Sequence, residues 1–302
     1  MGPPVYNTTE LIITLTIEYI INIIGIIGNA LIMLTVYTYP GLRTRSMYFL
    51  VWLSVTDMAV CLIIQSLTMV ELVTFNDNCW LLTCSNYISF SLCFTSINLL
   101  ALISYDRYIH LSKLNNYNRY MTSKKVRNLV IICWVPGLLI GCLLFSHTTI
   151  IIYSICVMSS GSVILLFICR CYYKSWKIFI SQSRNIRDQS NNENISKRRD
   201  VNEHWKVVKS TALLIASLII AWCPYTVFIL IQEIFKHINY DIRSYKITYT
   251  LHHIVCMIGF SNSSINPFLY YWKNKRLLKG MKRFVRTKVL RLNNRVGCSN
   301  SI

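Results

Sequence analysis

The chain has 302 residues, of which 54% are hydrophobic and only 14% charged, and its mean hydropathy is +0.43. Soluble domains carry roughly 25% charged residues, so this composition excludes a water-soluble globule and points to the membrane. The net charge of +19 suggests a nucleic-acid partner at first sight, but the basic residues gather along one side of the predicted spans, which excludes that class.

Apolar runs long enough to cross a hydrocarbon core of about 30 Å occur near residues 11–37, 46–70, 84–108, 127–146, 149–172, 207–232 and 247–271. The pattern predicts an all-α membrane protein, a seven-transmembrane helix bundle over residues 11–271. Residues 1–10 form a short outer segment with the glycosylation sequon Asn7-Thr8-Thr9. The first apolar run has no basic region before it and no small-residue cleavage site, so it reads as a retained helix that is its own insertion signal. Between the fourth and fifth runs stand only Ser146-His147-Thr148-Thr149. The polar stretch 181–202, rich in Ser, Asn, Gln and Arg, predicts a flexible inner loop. From 272 to 285, basic clusters alternate with Leu277, Leu278, Met281 and Phe284, a spacing that predicts an amphipathic helix on the membrane surface. Residues 286–302 form a cytoplasmic tail in which Cys298 is a palmitoylation candidate.

Charge sets the orientation. With the N-terminus outside, only Lys236, Arg243 and Lys246 fall on the outer side, and the other 28 of 31 basic residues fall at inner ends, inner loops or the tail. This asymmetry predicts an extracellular N-terminus and a cytoplasmic C-terminus, with the inner face drawn to anionic membrane lipids. Of the 12 cysteines, most lie inside spans as small apolar packers; Cys79 and Cys84 face the oxidising side, and Cys156 lies near the outer part of the fifth span.

Polar groups inside spans carry the functional information, because each must face the bundle rather than lipid. Asn29 and Asp57 lie within the first and second runs. Ser96 precedes Arg107 by 11 residues, about three turns on one face, and Asn262 and Asn266 are four apart in the seventh run. Asp57, Ser96, Asn262 and Asn266 are therefore expected to form one buried cluster. A carboxylate among hydroxyl and amide oxygens suits a sodium ion with water; a metal-free, water-filled hydrogen-bond network accounts for the same residues equally well.

The order of motifs along the chain resembles that of rhodopsin-like, class A G-protein-coupled receptors. Gly28-Asn29 stands in span one, Leu53 to Asp57 in span two, Asp106-Arg107-Tyr108 at the end of span three, and Trp134 in span four. Tyr172 closes span five, Trp222-Cys223-Pro224 lies in span six, and Asn266-Pro267-Phe268-Leu269-Tyr270 closes span seven. The resemblance covers about residues 11–285. It implies a plasma-membrane receptor that activates heterotrimeric G proteins through Asp106, Arg107, Tyr108, Tyr172, Asn266, Pro267 and Tyr270, with Trp222 and Pro224 as the helix-six switch. It also implies an allosteric sodium pocket at Asp57, Ser96, Asn262 and Asn266, and no other cofactor. Many relatives hold the Arg with an acid 20 residues before the helix-six proline. Here His204 stands at that place, beside Glu203, so raised basal signalling is expected.

Departures narrow the resemblance. Leu82 occupies the usual outer cysteine position, the second outer loop is vestigial, and Ile164 replaces the helix-five proline. Together they resemble a divergent relative of the melanocortin, cannabinoid, lysophospholipid and adenosine receptor group. Melanocortin calcium ligands are not matched, since Leu67, Leu82 and Asn86 stand there. Ser89 replaces the aspartate of amine receptors, Phe260 the retinal lysine of opsins, and Ile229 the helix-six asparagine of adenosine receptors. Glu18, Ser89, Phe90, Cys93, Cys156, Ser160, Trp222, Tyr225, Thr226, His252 and Phe260 remain as pocket candidates, mostly apolar or aromatic, which favours a small or lipid-like extracellular ligand. Glu18 either meets a polar ligand or contacts water at the outer interface. Two other functions compete with signalling: a non-signalling, ligand-sequestering receptor, and a seven-helix transporter, which wants inverted repeats or broken helices that the sequence does not display. No enzymatic constellation is present.

Overall fold

The computed structural model describes residues 7–74, 79–113, 116–142, 150–187, 193–237 and 245–289, and within them there is no β-strand. The helices are α1 (Thr8–Thr38), α2 (Arg45–Ala59), α3 (Ser66–Thr74), α4 (Cys79–Ser112), α5 (Tyr117–Tyr120), α6 (Ser123–Cys142), α7 (Ile150–Arg187), α8 (Glu193–His237), α9 (Tyr245–Lys273) and α10 (Lys275–Phe284). A π-helical turn, Val60–Gln65, joins α2 to α3, so the two form one rod. Four of these rods, Thr8–Thr38, Arg45–Val73, Cys84–Ser112 and Ile215–Gln232, are long and apolar enough among the described residues to cross a membrane.

Local chemistry explains several ends. The Glu10 carboxylate accepts from the Asn7 backbone N–H at 3.0 Å at the start of α1. Thr44 Oγ1 accepts from the Met47 N–H at 3.3 Å at the start of α2. Asn274 Oδ1 accepts from the Arg276 and Leu277 N–H groups at 3.1 Å, which turns the chain from α9 into α10. Such caps satisfy N–H groups that a helix leaves without intrahelical partners.

The expected inner loop 181–202 is a correction. α7 continues to Arg187 and α8 begins at Glu193, because Lys, Arg, Gln and Glu are good helix formers once the rods leave the apolar layer. Residues 146–149, Cys298 and the side chains of Cys79, Leu82, Cys156, Glu203, His204 and Glu233 lie outside the described residues.

The bundle is polar within and apolar without. On α1 the buried face is Glu18, Asn22, Gly25, Gly28, Asn29 and Ile32, while Ile12, Ile13, Ile20 and Ile27 are exposed. In water this distribution would be inverted, so the outer face belongs to lipid. α4 is the central rod, packing on α2, α6, α7 and α8, and α1 closes the ring against α9. That last seam needs small residues: a Cβ on Gly28 would stand 2.8 Å from Pro267 Cβ. The inner half holds the main apolar core, with Phe49, Leu53, Leu99, Met121 and Leu277 all fully buried. Leu277 anchors α10 beneath the bundle.

Candidate functional site

Midway along the bundle, Asp57 is 1% exposed and is held from two other rods. Its Oδ2 accepts from Asn266 Nδ2 at 2.8 Å, and its Oδ1 accepts from Ser263 Oγ at 3.0 Å and Ser96 Oγ at 3.4 Å. Asn29 donates from Nδ2 to the Gly25 and Ser263 carbonyl oxygens at 3.0 and 3.1 Å. Asn29, Ser96 and Asn266 thus converge with Asp57. Asn262 is buried too, but its Oδ1 accepts from Ser217 Oγ on α8 at 3.2 Å, so it ties α9 to helix six rather than to the carboxylate. Ser263 takes the place expected for Asn262. Four-residue spacing puts Asn262 and Asn266 on nearby faces, but α8 offers the Ser217 hydroxyl first, and a serine beside an asparagine carries no sequence signal that separates the two. Asn29 Oδ1 and Asn266 Oδ1 are buried without donors, which leaves acceptor capacity beside the carboxylate.

Above this network the aromatic groups form a chain. Trp222 meets Phe260 edge-on with ring centroids 5.7 Å apart, and meets Tyr225 in the same way at 5.6 Å. Gly259 admits the Trp222 ring, since a Cβ there would lie 3.3 Å from its Cε3 and Cζ3. Tyr225 continues to His252 at 6.1 Å. Cys93, Trp222 and Phe260 pack into one apolar cluster with Val60 and Ile64. Phe90 stacks on Phe94 along α4, and Ser89 and Ser160 are half-buried on α4 and α7. Glu18 is buried, and its Oε1 lies 3.2 Å from His253 Nε2. Of the histidine pair His253 is buried, while His252 is exposed and lies against the rings of Tyr225 and Phe228. The signal was present: His253, Phe260 and Pro267 recur every seven residues on the face that meets α1.

At the inner end, Asp106 is fully buried. It accepts from Tyr117 O–H at 2.5 Å and Ser46 O–H at 2.7 Å, while Arg107 Nη1 stands farther away at 3.7 Å. Tyr117, outside the spans, has its phenol pushed well up, first by burial and then by the adjacent Asp106, so it remains a donor to that carboxylate. Sequence reasoning missed both Tyr117 and Ser46. Tyr108 lies within cation–π range of Lys174. Tyr172 O–H donates to the Val208 carbonyl of α8 at 2.8 Å. The Tyr270 hydroxyl is buried with no partner, as is Arg107 Nε.

Comparison with known proteins accounts for this arrangement. The 7 transmembrane receptor (rhodopsin family) pattern matches residues 28–270. The chain belongs to that family. It is therefore a multi-pass, seven-helix membrane protein of the receptor class and not an enzyme. It is 25% identical to the Tachykinin-like peptides receptor 86C of Drosophila melanogaster, over 87% of this chain and 56% of that receptor. It is 23% identical to the Adenosine receptor A3 of Canis lupus familiaris, over 87% of each, and 25% identical to the human Histamine H2 receptor, over 92% of this chain and 80% of that one. The chain thus spans little more than half the length of the first of these receptors. Similarity at nearly one level to receptors named for a peptide, a nucleoside and an amine singles out no ligand class.

Proposed function

We propose that this receptor sits in the plasma membrane with its N-terminus outside, binds an extracellular ligand in the outer half of the bundle, and activates heterotrimeric G proteins by an outward swing of the inner half of α8. The observation that carries this reading is the set of aromatic and polar contacts that tie α8 to α9, and α9 to α2, in the middle of the bundle. Phe260 touches Trp222, Ser217 ties α8 to Asn262, and Asn266 reaches Asp57. A ligand that binds one arrangement better shifts the population towards it. Pro224 lies inside α8, and its missing N–H weakens the helix where the swing must occur.

At the inner end the Tyr172–Val208 bond holds α8 against α7. Its rupture frees the Tyr172 phenol to join Tyr270 around Arg107, while Asp106 stays with Tyr117 and Ser46. Arg107 is thereby available to the G protein.

Asp57 and Ser96, with Asn266 and Ser263, supply an anionic and hydroxyl set suited to a sodium ion. The unpaired Asn29 Oδ1 and Asn266 Oδ1 support that fit, whereas Asn262, occupied by Ser217, would contribute from the second layer. The ion, when bound, supplies positive charge against the buried carboxylate. Asn7, exposed at the start of α1, is the proposed glycan site. The test is a ligand screen in cells expressing a promiscuous G protein. An agonist response that Arg107→Ala abolishes at unchanged surface expression supports the reading, and ligand binding without any response in wild type refutes it in favour of a sequestering receptor.

A further inference from the structure

A second buried polar group lies in the outer half, where α1, the π turn and α9 meet, and the signalling contacts do not use it. Glu18 is 7% exposed; one of its oxygens faces His253, and the other, Oε2, has no partner. Gln65 is 6% exposed and donates from Nε2 to the Phe260 carbonyl at 3.2 Å, leaving Oε1 buried and unpaired. Asn22, one turn along α1 from Glu18, has an unpaired Oδ1. Glu71 accepts from Ser85 and lies within electrostatic reach of His253, and its Oε1 is also unpaired. Glu18, Gln65 and Phe260 line one small cavity with Ile21 and Met257.

The four unpaired atoms are all acceptors, and two belong to carboxylates. Buried polar atoms are nearly always paired in folded proteins, so the two that line the cavity, on Glu18 and Gln65, call for donors from outside the chain. The π turn is what presents Gln65. It closes at that residue, and the extra residue such a turn inserts re-aims the side chains that follow; π turns recur at functional sites for this reason.

We propose that this cavity receives the cationic head of a ligand, a primary ammonium or amidinium group. Such a group brings positive charge and several N–H donors in a small volume, which is what the unpaired oxygens require. The cavity is small, so only a compact charged head enters it while the rest of the ligand extends outward. Phe260 lines the cavity and also meets Trp222 edge-on. Occupancy therefore presses on helix six. This site takes a cation without the span-three aspartate of amine receptors, whose place Ser89 fills. The consequence for signalling rests on the receptor function proposed above; the binding itself does not.

The experiment follows the thermal unfolding midpoint of the full chain in lipid nanodiscs during titration with phenethylamine and benzamidine, against phenethyl alcohol and benzamide as neutral counterparts. The expected result is a saturable rise with both cations and none with the neutral compounds. Hydrogen bonds to charged groups are the strong ones, so Glu18→Gln and Gln65→Leu should each raise the half-saturating concentration by about tenfold or more, with Lys279→Ala on α10 as the unaffected control. Should Glu18→Gln fail to fold, Glu71→Gln takes its place beside Gln65→Leu. No saturable rise with either cation overturns the proposal, as do equal rises with the neutral counterparts or unchanged titrations in the variants. Cation binding without G-protein activation counts against the receptor function alone, and activation without cation binding counts against this site alone.

Discussion

Mutant cycles on the Asp57 network test the geometry most sharply, because its three donors differ in distance. The 2.8 Å bond from Asn266 is a good hydrogen bond to a carboxylate, and such bonds contribute about 1.5–3 kcal/mol. Ser96, at 3.4 Å, lies beyond the 2.5–3.0 Å usual for hydroxyl donors and should contribute little. Asn262 spends its oxygen on Ser217. Single variants alone would mislead. Asp57→Ala strands the Asn266 and Ser263 donors, at about 1–3 kcal/mol each, but also removes a buried charge worth roughly 2.5–3.5 kcal/mol of insertion penalty, so its net effect is small. Asn266→Ala keeps that charge and deletes its best donor, so it should destabilise more than Asp57→Ala. Cycles of Asp57→Ala with Asn266→Ala, Ser96→Ala and Asn262→Ala, read from thermal unfolding in nanodiscs, should give coupling of about 1.5–3 kcal/mol for Asn266. The Ser96 and Asn262 pairs should be additive within about 0.5 kcal/mol. Additivity for Asn266, or stronger coupling for Asn262, would refute the reasoning.

Three further outcomes are expected. Gly28→Ala should destabilise by about 1–3 kcal/mol through overpacking against the rigid Pro267 ring; Gly161→Ala, with nothing within 4 Å, should be neutral or stabilise by up to about 1 kcal/mol, and thermal unfolding of both checks the contrast. Tyr117→Phe removes the shortest bond to Asp106 and leaves Oδ1 of that carboxylate, beside Ser46 on Oδ2, open to Arg107, so ligand-free nucleotide exchange on G protein should fall; a rise would place Tyr117 on the resting side of the equilibrium. Leu277→Ala should cost about 2–5 kcal/mol, because Leu277 is wholly buried beneath the bundle, and faster proteolysis at α10 would report its detachment.

The sequence made the architecture legible because lipid imposes strict length and polarity rules: apolar runs had to be spans, and Asp57 and Asn266 had to face inward. The finer site was less legible. The π turn at Val60–Gln65 has no sequence signature, so the inward placement of Gln65 was invisible. Ser263 and Asn262 are neighbours whose roles depend on which rod offers a donor first. Ser46 lies far from Asp106 in the chain and Tyr117 follows it in a separate short helix, so their claim on Asp106 arises only when α2 and α5 fold against α4. The helical extensions beyond 181 and before 202 were hidden because polar composition alone does not separate a solvated helix from a loop.

The central claim, that the inner end of helix six moves outward when the receptor engages a G protein, is tested most directly by a distance. Labels encoded at the exposed Lys113 and Lys209, beside the inner end of α4 and on the inner half of α8, report it in nanodiscs. Adding nucleotide-free G protein should shift the distribution to longer distances, and Arg107→Ala should abolish the shift. An unchanged distribution with the G protein bound would contradict the account.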